Sequence, residues 1–148
     1  MIEYRGCELP PDLYYDLDYL WVRPEADGTC RIGVTDPSQT MAGRVLHVSI
    51  KKVGTHFDIG RHVAVLESGK WVGGIPTPFA GTIVERNQRV LDNANLINIA
   101  PYTDAWLVLM RPDDPAHALD RLATGDEAIA KLKAWIDRYD VQCMRCAE

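Results

Sequence analysis

Val63-Ala64-Val65-Leu66-Glu67-Ser68-Gly69-Lys70-Trp71-Val72-Gly73-Gly74-Ile75-Pro76-Thr77-Pro78-Phe79-Ala80-Gly81 reads as a strand, a turn and a returning strand. Valines alternating with small residues favour extended chain. Ser-Gly opens a turn, and Pro-Thr-Pro with Ala-Gly closes the return. The stretch predicts a hairpin with Lys70 at its tip, open to solvent on every side. Gly69 is expected to permit the tight turn. A solvated ε-ammonium is neither a base nor a Schiff-base nucleophile at neutral pH. No Ser-His-Asp or Cys-His grouping stands beside it in sequence. Lys70 therefore suits an amine that an enzyme modifies, or the mount of a cofactor that swings.

The rest of the chain bounds what that hairpin serves. Its 148 residues, 47% hydrophobic, fit one compact domain with a real core. The net charge of −5 and the lack of a basic cluster exclude a nucleic-acid partner. Such a surface would dock on basic entrances of partner enzymes. No run approaches the ~18 apolar residues of a membrane span, and residues 1–13 lack a signal pattern. No membrane partner and a cytoplasmic location are expected. Cys7 and Cys30 read as buried apolar residues. Cys143 and Cys146 form a terminal C-x-x-C, with no second pair to complete a zinc site. His47, His56, His62 and His117 show no metal-ligand spacing. His56 and His62 flank the crossing before the hairpin, where either could touch a group on Lys70.

Taken in order, Pro10-Pro11 predicts an extended leader that Tyr14 and Tyr15 pack onto the body. Tyr19–Arg23 and Thr29–Val34 predict a hairpin about Asp27-Gly28. Asp36 as N-cap, Pro37 in the first turn and Gly43 past the end predict a helix over 37–42. Arg44–Ile50 reads as a strand, and Asp92–Leu96 as a short turn or helix. Asp114 and Pro115 predict a helix reaching Leu122 or Ala123. Thr124 with Glu127 has the capping-box spacing for a final helix, with Ile129, Leu132, Ile136 and Tyr139 on one apolar face. That face either packs on the β body or meets a partner. Ala42-Gly43 leading into a strand is echoed by Ala80-Gly81, which predicts two related halves with Lys70 near their junction.

Three segments carry a family resemblance. The first is Glu67-Ser68-Gly69-Lys70 with Pro76-Thr77-Pro78-Phe79-Ala80-Gly81. The second is Gly33-Val34-Thr35-Asp36-Pro37-Ser38-Gln39-Thr40-Met41-Ala42-Gly43. The third is Leu96-Ile97-Asn98-Ile99-Ala100-Pro101-Tyr102-Thr103-Asp104-Ala105-Trp106. Over residues 18–111 they resemble the glycine cleavage system H proteins. The resemblance implies a mainly β, lipoyl/biotinyl-type sandwich of two antiparallel sheets (a barrel-sandwich hybrid), with short helices and a C-terminal helical segment. It divides the chain into an N-terminal extension (1–17), a lipoyl domain (18–111) and C-terminal helices with a Cys-containing tail (112–148).

The resemblance also implies lipoic acid in amide linkage to Lys70. Glu67 and Ser68 would then serve recognition by a lipoate ligase or lipoyltransferase. Trp71 would stack on the arm or a partner, or else be a half-buried strand residue. The chain would be a carrier and no enzyme. Gly69, Trp71, the leader Gly6–Asp16 and the arginines of Glu85-Arg86-Asn87-Gln88-Arg89 depart from the usual H-protein pattern. They resemble lipoate-binding proteins that work beside heterodisulfide-reductase-like complexes in sulfur oxidation, which implies shuttling of sulfur-bound intermediates. The alternative is an aminomethyl carrier among glycine decarboxylase, aminomethyltransferase and dihydrolipoyl dehydrogenase. A non-lipoylated interaction module is a third reading, disfavoured by the intact Glu67–Lys70 motif. On a lipoyl carrier, Cys143 and Cys146 read either as a loose tail or as a dithiol exchanging with the arm.

Overall fold

The computed structural model describes residues 1–16 and 20–144, so Tyr19 of the predicted first strand and Cys146 lie outside the described residues. The elements in order are β1 (Ile2–Tyr4), β2 (Cys7–Leu9), β3 (Tyr14–Asp16), β4 (Leu20–Pro24), β5 (Cys30–Val34), α1 (Asp36–Ala42), β6 (Val45–Ile50), β7 (His56–Phe57), β8 (His62–Ser68), β9 (Val72–Pro76), β10 (Gly81–Arg86), α2 (Gln88–Asp92), α3 (Leu96–Ile99), β11 (Val108–Pro112), β12 (Ala123–Thr124) and α4 (Gly125–Arg138). A seven-stranded sheet runs β12-β3-β4-β5-β11-β10-β7, and a three-stranded sheet runs β6-β8-β9. Every pairing is antiparallel. The fold is mainly β, as expected, with no closed barrel. The sequence echo is realised as β6 on β8 in one sheet and β10 on β11 in the other, each with a register irregularity, at Val45/His47 and at Ile83/Glu85.

The two sheets share one core. Leu20, Val22, Ile32, Ile83 and Met110 come from the large sheet, and Val48, Ala64, Leu66 and Ile75 from the small one. A second apolar cluster holds Cys7, Leu9, Leu13, Tyr15 and Trp21 with Ile129, Leu132 and Ile136 of α4. Burial at about 25 cal/mol per Å² of apolar surface makes such clusters the main support of the fold. Trp21 is seated by Gly33, its pair across β4 and β5. A Cβ there would stand 2.3 Å from the indole, and Trp21 Nε1 donates to the Pro101 carbonyl at 2.9 Å.

Several expectations need correction. The leader holds an unforeseen hairpin, β1–β2, whose turn residues Arg5 and Gly6 both take positive φ, 50° and 79°. That mirror-image turn suits the strand twist. α1 is capped by Thr35, whose hydroxyl accepts from Ser38 N–H at 3.2 Å, so Asp36 is its first residue rather than its cap. The short turn or helix expected over Asp92–Leu96 is a turn at Asn93–Asn95 between two short helices, α2 and α3.

Residues 114–122 form successive i to i+3 turns and no helix. That segment is mostly exposed, and a short helix without an apolar face to bury is marginal. Its end is instead drawn into strand pairing of Ala123 with Tyr15. The capping box is not made either, because Thr124 Oγ1 donates to the Leu13 carbonyl at 2.8 Å. Tyr139 lies past α4, half exposed, against Trp135 at 4.9 Å between ring centroids. Cys143 belongs to no free C-x-x-C, and Cys7 is no free apolar residue. The two are joined by a disulfide with Cα atoms 4.8 Å apart. Cys30 is buried as expected, and burial pushes its thiol up to about 11.

At the far edge, His56 Nε2 meets Asp113 Oδ2 at 2.7 Å on the surface. The hydrogen bond, more than the solvent-screened charge, raises the His56 pKa above its ordinary 6.5. A raised histidine pKa means the contact supports the fold fully below that ordinary value and is lost as pH rises through the folded one. Asp113→Asn should bring the imidazole titration, followed by NMR, back down. An unmoved titration would show that the contact is not made in solution.

Candidate functional site

The lysine hairpin is built from β8, a two-residue turn and β9. Ser68 N–H donates to the Trp71 carbonyl at 2.8 Å, leaving Gly69 and Lys70 as the loop. Neither takes a positive φ, and a Cβ on Gly69 would meet nothing within 4 Å. Gly69, expected to permit the tight turn, sits in a turn that has room for a side chain. What shapes it is Ser68. This side chain is buried, its hydroxyl donates to the Ala42 carbonyl at 2.6 Å, and it accepts from Lys70 N–H at 3.3 Å. The hydroxyl thus clamps the turn onto the C-terminal end of α1, and Ser68 is not a surface contact for a partner.

Lys70 itself is exposed, as is Glu67. The lysine stem crosses Gly43, where a Cβ would stand 2.9 Å from Lys70 Cε. Gly43 takes φ 78°, so both the helix stop and the lysine path depend on glycine there. Beneath it lies a residue whose role the sequence did not disclose. Asn98 is fully buried in α3. Its Oδ1 accepts from Val45 N–H at 2.8 Å, and its Nδ2 donates to the Gly43 carbonyl at 2.8 Å and to Gln39 Oε1 at 2.9 Å. One amide so ties α1, α3 and β6 together under the lysine. The hints were a polar residue inside the apolar run Leu96-Ile97-Asn98-Ile99 and its place in the third segment that carries the resemblance.

Beside the turn opens a groove of about 300 Å³. Trp71, Met41, Ala42, Leu66, Trp135 and Tyr139 are among its walls, and no residue lining it carries a formal charge at neutral pH. Trp71 is half-buried and lies over Gly73, where a Cβ would stand 2.0 Å from the ring. Of the two alternatives expected of Trp71, its half-burial is seen, though it lies one residue ahead of β9 rather than in a strand, and it forms a wall of the groove beside Lys70. Leu46, 62% exposed, and Val72, 63% exposed, stand on the two strands flanking β8.

His56 and His62 do not join the site. His62 begins β8, six residues before Ser68, about 20 Å along a strand. His47 faces Glu67 across β6 and β8 on the exposed side. The groups whose pKa is moved do not line the groove. Burial raises Tyr15 and Tyr102, and an aspartate raises each of His56 and His117. Among the described residues no three His, Cys, Asp or Glu side chains could hold a metal ion, and no helix is long and apolar enough to cross a membrane. The arrangement presents a reachable amine next to an apolar cleft, with no acid, base and nucleophile assembled around it.

Comparison with known proteins places this geometry. A family model described as "Glycine cleavage H-protein" matches residues 13–135. The chain is 48% identical to glycine cleavage system H protein 3 of Aquifex aeolicus over 148 residues, which cover 97% of this chain and 92% of that one. It is 40% identical to a probable glycine cleavage system H protein 2 of Sulfurisphaera tokodaii, covering 98% and 99% of the two chains. With the glycine cleavage system H protein of Paraburkholderia xenovorans the identity is 40% over 118 residues, 80% of this chain and 92% of the other. The crystal structure of a glycine cleavage system H protein from Mycobacterium marinum superposes with a TM-score of 0.73 at 30% identity, covering 83% of this chain and 98% of that one.

Proposed function

The chain belongs to the glycine cleavage H-protein family, and from that premise we propose that it carries its lipoyl group on Lys70 and works as the aminomethyl carrier of glycine cleavage. H proteins are lipoyl carriers, not themselves catalytic, with lipoate bound covalently to a lysine. The observation that supports Lys70 as that lysine is its place: an exposed two-residue turn, clamped from below by Ser68 and bordered by an uncharged groove.

The site fits the group. Lys70 Nζ is reachable for acylation, and Gly43 leaves room for the stem. Acylation removes the ammonium charge, so an arm lying back over Met41 and Trp71 would bury no unpaired cation. When bound, lipoate supplies a dithiolane whose reduction gives two thiols able to hold a transferred group. The protein's own part is to hold and orient. Ser68 fixes where the arm starts, and Trp71, Trp135 and Tyr139 offer it an apolar rest. Glu67, Leu46 and Val72 present a mixed exposed surface around the lysine to a lipoate ligase or lipoyltransferase.

The names of the relatives favour the aminomethyl reading over the sulfur carrier expected from Gly69, Trp71 and the leader. The fine assignment is read out by reconstitution. The lipoylated chain with glycine decarboxylase, aminomethyltransferase and dihydrolipoyl dehydrogenase should give glycine-dependent NADH formation. A chain that is fully lipoylated yet silent there, but active with a heterodisulfide-reductase-like complex, would reverse the assignment.

A further inference from the structure

The Cys7–Cys143 disulfide stands apart from the lysine, yet it is wired to the groove's wall. The chain leaves α4 at Tyr139, which lines the groove, and five residues later Met144 lies against α1. The Met144 carbonyl accepts from Gln39 Nε2 at 2.8 Å and from Thr40 Oγ1 at 3.2 Å. Gln39 lines the groove and is bound in turn by Asn98, which holds Gly43 under the lysine stem. Cys143, between these points, is held by the disulfide, by its N–H to the Arg5 carbonyl at 3.0 Å and by packing against the second apolar cluster. The two sulfurs differ in access. Cys7 is fully buried, whereas Cys143 is partly exposed. A thiolate can reach this bond only at Cys143.

We propose that Cys7–Cys143 is a redox site for a 1,3-dithiol, opened through Cys143, and that its opening loosens α1 and the groove wall beside Lys70. The donor intended is the carrier's own reduced arm; that part alone rests on the lipoyl reading. The exchange balances. One thiolate of the dithiol attacks Cys143 Sγ, the Cys7–Cys143 bond breaks, and Cys7 leaves as a thiolate and takes up a proton. The second thiol of the dithiol then attacks its own mixed disulfide. A cyclic disulfide forms, and Cys143 is released as a thiol. Two electrons and two protons pass from the dithiol to the protein cystine. α1 spans about 10 Å at 1.5 Å per residue, so Gly43 at its end and Thr40 near its middle are within the sweep of an eight-carbon acyl chain fixed to Lys70. With the bond open, the tail keeps the buried Val141 and the Arg5, Gln39 and Thr40 hydrogen bonds but loses its covalent tie to the leader.

The test uses the full chain with Cys146→Ser, to remove the neighbouring thiol, in two forms: Lys70→Arg, which has no arm, and the lipoylated protein. The first form is treated with excess dihydrolipoamide under native conditions, alkylated, and mapped by peptide mass. The expected result is a gain of two labels, one each on Cys7 and Cys143, with amide deuterium uptake over residues 39–43 at least tenfold faster. A cystine that stays closed until the protein is denatured overturns the redox site. Opening with unchanged uptake overturns the coupling to the groove. In the second form the arm is reduced by dihydrolipoyl dehydrogenase and NADH. Labels on Cys7 and Cys143 support the arm as donor. Labels on the arm alone refute it, and a chain that takes no lipoate fails the earlier reading while the dihydrolipoamide result stands.

Discussion

Lys70→Arg is expected to abolish lipoylation completely while leaving the thermal midpoint unchanged. The acylation needs an amine that can shed its proton. A guanidinium stays protonated at any accessible pH and is no acyl acceptor. The fold should not notice the change, since Lys70 is exposed and its stem crosses Gly43, which has no side chain to clash with a longer head group. Arginine has a stem of similar length, and surface substitutions of this kind shift stability by no more than about 0.5 kcal/mol. Co-expression with a lipoate ligase and intact-mass measurement reads the first part. A melt followed by circular dichroism reads the second. An increment that survives in the variant would move the attachment site to another lysine. A lowered midpoint would make Lys70 a structural residue and undercut its role as a mount.

What was legible in the sequence was local. The alternation of Val63 to Leu66, the Ser-Gly step and the glycines of β9 sit within a few residues of one another, so the hairpin and its lysine could be read directly. The facing sheets were legible through the resemblance and the Ala-Gly echo. What escaped depends on partners far away in the chain. Cys7 and Cys143 are 136 residues apart, and nothing in either neighbourhood names the other. Thr124 has the right spacing for a capping box, but the Leu13 carbonyl competes for its hydroxyl and wins. The helix expected over 114–122 gave way because Ala123 is used by β3. Gly69 was credited with the turn, while the work is done by Ser68 reaching across to Ala42. In each case a tertiary bond overrode a local preference.

Asn98→Ala should be the most damaging single change near the site, because one fully buried amide serves three backbone and side-chain partners, two of them buried. Its removal strands the buried Val45 N–H and Gln39 Oε1 and frees the partly buried Gly43 C=O. Each buried group left unpaired costs about 1–3 kcal/mol, so a loss of about 3–5 kcal/mol is expected. That is a large part of the 5–15 kcal/mol typical of a domain. Urea unfolding would measure it, and a loss under about 1 kcal/mol would show that the network is not made in solution. Asn98→Asp separates the contacts. It keeps an acceptor for Val45 N–H but turns both donor bonds into oxygen facing oxygen. Burial among carbonyl oxygens would raise the new carboxyl's folded pKa above the ordinary ~3.9. The raised value means the variant is most stable when protonated, so its stability should fall as pH rises from about 4, whereas Asn98→Ala should show no such added slope. Because Asn98 holds Gly43, both variants should also take lipoate more slowly than the parent chain at a temperature where they remain folded. A parent-like rate in a folded variant would detach the lysine's position from the amide beneath it.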